Sequence, residues 1–259
     1  MFDLTNKTIL VAGGAGYLGS KLCEAILLHN GNICIADINL EKINSLKDSL
    51  MQKFPDNKIF STILDIKNEN SIIECVNKTN KYFDNINGLV NATYGSTGKA
   101  LDELTAKEFN DANEINLTGS FLLSRHAIST MKKGGSVIMF ASMYGIVSPK
   151  PNLYPEGINP NPIEYGAGKA GLIQLTKYLA SHFGSKNIRV NAVAPGPFPD
   201  IKKNDNYNQE FLDNLRDSTM LKRLGESKEI AGPIIFLLSE ASSYVTGQVL
   251  KVDGGWTAW

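Results

Sequence analysis

Tyr165 and Lys169 stand four residues apart in the segment Tyr165-Gly166-Ala167-Gly168-Lys169. On a helix that spacing puts both side chains on one face. A phenol titrates near pH 10 and does acid–base work near neutrality only if its charged form is stabilised. A neighbouring ammonium can do that, each pKa unit being worth about 1.4 kcal/mol. Taken alone, the pair equally describes a solvated helix face. A second feature lies near the start of the chain, where the apolar run TILVA leads into Gly13-Gly14-Ala15-Gly16-Tyr17-Leu18-Gly19 and then the helical pattern SKLCEAILL. Glycines there permit a tight turn and close approach of backbone to a pyrophosphate, and the helix start supplies N–H donors and the positive end of a dipole. The next strand-like run closes on Asp37, 24 residues after Gly13. An acid so placed hydrogen-bonds the ribose hydroxyls of an adenosine and repels a 2′-phosphate. With no arginine at 38–42 and only Lys42 nearby, NAD is favoured over NADP.

Positioning these groups requires a regular scaffold, and the chain has the pattern for one. Strand-like runs at 8–12, 32–36, 59–64, 88–90, 136–140, 188–193 and 248–252 alternate with helical stretches at 18–28, 40–53, 69–83, 109–131, 164–183 and 229–238. This alternation predicts a doubly wound α/β fold, a seven-stranded parallel sheet with helices on both faces. No repeat, low-complexity tract or charged linker divides the chain, so residues 1–259 read as one domain. Two segments break the rhythm: 148–162, with five prolines, and 195–219, which begins PGPFPD and turns polar. Loops of that length in a compact α/β domain are usually lids or binding loops.

Composition narrows the function further. Lys and Arg total 26 and Asp and Glu total 26, which argues against a nucleic-acid or membrane-surface binder, since both need a basic excess or stripe. No apolar run reaches the length of a membrane span, and the polar first seven residues do not read as a signal peptide. Cys23, Cys34 and Cys75 are widely spaced without a CxxC, as expected of small buried residues in a reduced, cytoplasmic protein. His29, His126 and His182 share no ligand spacing, so no metal is expected.

Taken together, these motifs resemble the short-chain dehydrogenase/reductase family, in its shorter branch, along the whole chain. That resemblance implies a Rossmann fold and hydride transfer between a nicotinamide dinucleotide and a secondary alcohol or carbonyl of a small-molecule substrate. It implies four catalytic residues. Tyr165 exchanges the proton of the substrate oxygen. Ser142, in FASMYG, hydrogen-bonds that oxygen. Lys169 grips the nicotinamide ribose and lowers the tyrosine pKa. Asn116, in NLTG, holds a water that relays protons. It also implies cofactor contacts at Gly13, Ala15, Gly16, Tyr17, Leu18, Gly19 and Asp37, at Asp65 and Ile66, at Asn91 and Ala92, at Tyr165 and Lys169, and at Pro195 and Gly196. The pattern departs from the family in three places. Tyr17 stands where a glycine is usual, a spacing closer to sugar-nucleotide epimerases. Thr93-Tyr94 replace Ala-Gly. Pro197-Phe198-Pro199-Asp200 stand where a threonine commonly follows Pro-Gly.

Ser142 and Tyr165 are separated by 23 residues, and the excess over the family spacing lies in PKPNLYPEGINPNP. Its position suggests that Tyr154 and Glu156, with Tyr94, shape a pocket for a polar, polyhydroxylated substrate; a plain surface decoration is the alternative. The segments around Tyr165, PGPFP and the GGWTAW ending are similar to dehydrogenases of flagellin-modification and legionaminic-type sugar pathways and to gluconate 5-dehydrogenases. This favours a sugar, amino-sugar or sugar-acid substrate. Lys202 and Lys203 are candidates for a phosphate contact or for solvated surface. Trp256 and Trp259 are expected at a subunit interface of a homotetramer or dimer. Three rivals remain: a catalytically idle NAD-binding regulator, an NADP-dependent carbonyl reductase of a non-sugar substrate, and an epimerase, although only Asp253 to Trp259 follow the last strand.

Overall fold

The computed structural model describes residues 1–201 and 207–259; Lys202 and Lys203 fall outside them. Seven strands, β1 (Thr8–Ala12), β2 (Asn32–Asp37), β3 (Ile59–Ile63), β4 (Gly88–Asn91), β5 (Gly135–Phe140), β6 (Ile188–Pro195) and β7 (Val249–Val252), form one sheet in the order β3-β2-β1-β4-β5-β6-β7. Every pairing is parallel, with Val11 opposite Ile35 on one side and Val90 on the other. The central strands β1 and β4 are buried at every position because both sheet faces are covered. Leu10, Ala12, Cys34 and Ala36 point into one core, and Ile9, Val11, Ile33 and Ile35 into the other. The three cysteines are free and buried in these layers.

Helices α1 (Tyr17–Leu28), α2 (Leu40–Lys53) and α8 (Ala231–Leu238) supply the second core; α3 (Glu69–Phe83), α5 (Ser120–Thr130) and α6 (Ile163–Phe183) supply the first. This is the doubly wound Rossmann arrangement that the alternation implies.

Two segments depart from the sequence expectation. The helical stretch at 109–131 is broken: α4 (Ala106–Asn113), started by a Thr105–Glu108 capping box, passes into a π-helical turn, Glu114–Gly119, before α5. Hydrophobic periodicity does not register one extra residue per turn, so the sequence reads as continuous. Such π turns cluster at functional sites, and this one carries Asn116. The second departure is α7 (Gln209–Asp217) within the 195–219 segment. Asn208 caps it by accepting from the Phe211 amide at 2.8 Å, and Phe211, Leu212 and Leu215 are buried. The signal was present as an Asn cap and apolar residues at helical spacing, masked by the polar residues between them.

A third, smaller apolar cluster follows from α7. Met143, Leu153, Phe211, Leu215 and Trp256 are buried together, with Tyr144, Tyr154 and Tyr207 packed against them. Trp256 is therefore buried inside its own chain, at 4% exposure, contrary to the interface expectation, whereas Trp259 is 64% exposed. The C-terminal segment has an internal apolar partner that the sequence alone does not reveal.

Gly119, in the π turn, packs against the strand end beyond β3: a Cβ there would stand 2.4 Å from the Ile66 carbonyl oxygen. Alanine in a helical position ordinarily gains about 1 kcal/mol over glycine. Against backbone that cannot retreat, overpacking costs roughly 1–3 kcal/mol. Gly119→Ala is thus expected to lower stability, read as a reduced midpoint in urea denaturation.

Candidate active site

The glycine turn lies at the carboxyl edge of the sheet between β1 and α1, where strand order reverses from β2-β1 to β1-β4. Ligands of open α/β sheets bind at such switch points. Gly13 has φ +72°, and a Cβ at Gly19 would lie 2.1 Å from the Gly13 carbonyl oxygen. The turn therefore closes only with glycine there. No side chain caps α1, so its first N–H groups, which lack intrahelical acceptors, remain donors at the turn. Asp37 ends β2 with Oδ2 accepting from the Ala15 amide at 3.1 Å and Oδ1 from the Asn39 amide at 3.2 Å. An uncapped helix start, a close-packed glycine turn and a carboxylate fixed beside it fit a dinucleotide, with phosphates at α1 and a ribose at Asp37.

The other expected cofactor positions border the same edge in different ways. Asn91 is buried and its amide is committed to the protein, donating to Ser120 Oγ at 2.8 Å and accepting from Thr93 Oγ1 at 2.7 Å. It shapes the end of β4 rather than offering a free side chain. Ala92 packs against Gly13. Asp65 Oδ1 accepts from the Lys67 amide, and Ile66 is buried. Leu18 turns into the core, leaving its backbone for any ligand. Pro195 ends β6, and the Gly196 amide donates to the Val252 carbonyl at 2.9 Å. Tyr17 reaches across to the segment after β6, its hydroxyl donating to the Pro199 carbonyl at 3.4 Å. Two departures from the family pattern thus meet each other.

Ser142, Tyr165 and Lys169 converge at the end of β5. Ser142 is extended and buried, and its Oγ accepts from the Tyr144 amide at 3.1 Å, which starts the turn Met143–Gly145. The Ser142 hydroxyl lies close enough to Tyr165 to lower the proton affinity of its phenol. One helical turn on, Lys169 is 1% exposed and donates from Nζ to the Phe140 carbonyl at 2.7 Å; Nζ stands 5.5 Å from the Tyr165 ring centroid. Asn116 is fully buried, its amide accepting from the Gly95 amide at 3.0 Å and donating to the Gly95 carbonyl at 2.7 Å. Its side-chain oxygen is thus already engaged with the segment after β4, leaving the main chain of the π turn as the group available for a relay.

Burial governs the proton affinities here. It pulls the Lys169 ammonium down to about 7. It pushes the Tyr165 phenol above its ordinary value, against the lowering by the Ser142 hydroxyl, and Tyr94 nearby adds to the rise. In the chain by itself the lysine does not depress the phenol as the spacing suggests, because a desolvated lysine near neutrality carries a weakened charge.

The surroundings of the turn that begins at Ser142 are aromatic. The Tyr144 and Tyr154 hydroxyls are hydrogen-bonded at 2.7 Å, and the Tyr154 ring lies 5.4 Å from Phe211 of α7. The insertion thus brings Tyr154 next to the turn that begins at Ser142. Tyr94 stands 70% exposed beside Tyr165. Glu156 does not join them; it stays exposed on the turn that follows Pro155. Tyr144, Phe211 and the Phe140 carbonyl are participants that the motif reading missed. Phe140 and Tyr144 lie in FASMYG and Phe211 in the 195–219 segment, so each fell within a stretch already singled out.

A family model described as enoyl-(acyl carrier protein) reductase matches residues 14–257. The post-translational flagellin modification protein A of Campylobacter coli is 33% identical over 98% of this chain and 99% of its own. The chain belongs to the short-chain dehydrogenase/reductase family. A 7α-hydroxysteroid dehydrogenase of Bacteroides fragilis is also 33% identical, over 97% of this chain and 95% of its own. The crystal structure of a short-chain dehydrogenase from Leptospira borgpetersenii with bound NAD+ superposes with a TM-score of 0.86 at 30% identity, covering 98% of this chain and 94% of that one. As a short-chain dehydrogenase/reductase the chain is an oxidoreductase of alcohols and carbonyls that uses a nicotinamide dinucleotide. Among the described residues no cluster of His, Cys, Asp and Glu is placed to hold a metal, and no helix is long and apolar enough to cross a membrane.

The lysine gives a prediction with a definite sign. Folded Lys169 titrates at about 7 and an unfolded lysine at 10.5. Between those values the unfolded chain holds the proton and the folded chain does not, so this group favours folding increasingly as pH rises. The melting temperature of the wild type relative to Lys169→Met is expected to climb from pH 7 to pH 10. A flat difference would contradict the depressed pKa.

Proposed function

We propose that this chain is an NAD-linked dehydrogenase acting on a secondary alcohol of a sugar, amino sugar or sugar acid, or on the corresponding ketone. The observation that carries the reading is Lys169, buried with its Nζ on the Phe140 carbonyl and 5.5 Å from the Tyr165 ring centroid, with Ser142 close by at the edge of a dinucleotide turn. The nicotinamide supplies the hydride acceptor or donor and, when oxidised, a positive charge. The chain's residues do the rest. Ser142 Oγ holds the substrate oxygen, and Tyr165 takes its proton on oxidation or returns it on reduction. Lys169 receives the ribose hydroxyls and passes the proton on, a role suited to a group titrating near neutrality. Asn116 supports the relay through the π-turn backbone. The glycine turn from Gly13 to Gly19, Asp37, Asp65–Ile66, Asn91–Ala92 and Pro195–Gly196 line the cofactor.

Asp37 supports NAD over NADP, because its fixed carboxylate would oppose a 2′-phosphate. The sugar reading is supported by aromatic rings with hydroxyl tips at Tyr94, Tyr144 and Tyr154, which offer both a stacking face and hydrogen bonds, and by the similarity to the flagellin modification protein. One observation favours a second reading, an alicyclic alcohol with an apolar body: the buried cluster of Met143, Leu153, Phe211 and Leu215 lies directly behind Tyr144 and Tyr154. Residues 148–162 and the segment at 195–219 are proposed as the substrate cover of a single domain. A cytoplasmic homotetramer or dimer is the proposed assembly, supported by the exposed aromatics Trp259 and Tyr244.

The test is NADH formation at alkaline pH with NAD or NADP, against sugar alcohols, sugar acids, amino sugars and steroid or alicyclic alcohols. NAD-linked turnover of a sugar-class member is expected. Loss of about 100-fold or more in Tyr165→Phe would match removal of a general acid–base group. Turnover of alicyclic alcohols alone would select the second reading, and preference for NADP would overturn the assignment to Asp37.

A further inference from the structure

Three charged side chains are buried among the described residues: Lys169, Asp253 and Glu164. Lys169 belongs to the proton path. Asp253 is satisfied by the Gly255 and Thr257 amides and the Thr257 hydroxyl, and so shapes the C-terminal turn. Glu164 has no part in the chemistry above, yet it directly precedes Tyr165 in the first turn of α6 and is fully buried.

Its carboxylate is engaged on one side only. Oε1 accepts from the Thr97 amide and from Thr97 Oγ1, both at 2.9 Å, while Oε2 has no hydrogen-bond partner among the described residues. Thr97 lies in the segment that follows β4 and carries Tyr94. Two other side chains grip the same segment. Asn116 bonds both the amide and the carbonyl of Gly95, and Asn159, in the insertion, donates to the Gly98 carbonyl at 3.1 Å. Tyr94 is thereby held at the mouth of the site, close enough to Tyr165 to influence its proton affinity.

An apolar side chain would fill the same space without desolvating a charge. What it would lack is direction: two hydrogen bonds converging on one oxygen fix both the backbone and the side chain of Thr97. We propose that Glu164 is a positioning residue, whose carboxylate clamps Thr97 to the start of α6 and so sets the wall bearing Tyr94 against which the substrate ring lies. The clamp joins that wall to the helix carrying the catalytic phenol, so the two keep a constant separation. The role in substrate placement rests on the dehydrogenase reading; the clamp itself does not.

Hydrogen exchange on the ligand-free protein reads the clamp without any substrate. In Glu164→Ala, amides 95–99 are expected to exchange about tenfold faster, with β4 and the body of α6 unchanged, as for a local opening. Glu164→Gln retains an acceptor oxygen and is expected to stay within about threefold of the wild type. Thr97→Val removes the hydroxyl arm, and with it the bond that Thr97 Oγ1 accepts from the Lys99 amide at 3.2 Å; an intermediate acceleration is expected at amides 95–98, which keeps the clamp testable should the alanine variant fail to fold. Adding Thr97→Val to Glu164→Ala should change nothing further at amides 95–98, since there both act through one contact. With the active member of the alcohol panel, Glu164→Ala should raise the KM for that alcohol about tenfold while the KM for NAD holds, and Glu164→Gln should restore it. Unchanged exchange at 95–99, acceleration spread through the whole sheet, or glutamine behaving as alanine would overturn the proposal. A silent panel would count against the dehydrogenase reading and leave the exchange result to decide the clamp.

Discussion

The site depends on one hydrogen bond in a dry place: Lys169 Nζ to the carbonyl of Phe140, the last residue of β5. A lysine is among the last side chains expected to be fully buried, and here burial has drawn its titration to about 7. The bond fixes α6 against the end of β5, and with that fixes Tyr165 against Ser142, two residues beyond Phe140. The order of the chain makes this possible, because parallel strands all deliver their carboxyl ends to one edge. The glycine turn after β1, the acid at the end of β2 and the serine after β5 reach the same edge without any special loop.

The sheet was legible because its physics is local and repeated. Seven apolar runs alternating with helical stretches admit few other packings, and TILVA followed by glycines leaves little choice for the first crossover. Tyr165, Lys169 and Ser142 were legible for a different reason, as residue types whose spacing matched a known chemistry. The π turn at Glu114–Gly119 was not, since the apolar residues on either side keep a helical rhythm that one inserted residue barely disturbs. Nor was α7, whose apolar face meets partners from the insertion and the C-terminus that no local window contains. Glu156 was misplaced because sequence position within an insertion does not say which residue turns inward. Leu153 and Tyr154 did, drawn by Phe211 and Tyr144.

Places where the chain departs from its family's pattern coincide with places where it has built contacts of its own. Tyr17 replaces a glycine and meets Pro199 in the segment where a threonine is usual. The longer path from Ser142 to Tyr165 returns Tyr154 to Tyr144 and Asn159 to Gly98. These segments therefore depend on one another and are laid over a conventional sheet. Their common anchor is the start of α6, where Glu164 and Tyr165 face two different walls from adjacent positions.

The account stands on Lys169 titrating near neutrality rather than remaining a permanently charged ammonium. A carbon-13 NMR titration of lysine Cε, with Lys169 assigned by loss of its signal in Lys169→Met, measures this directly in the ligand-free protein. A midpoint at about 7 is the result predicted; titration near the ordinary lysine value of 10.5 would contradict the account.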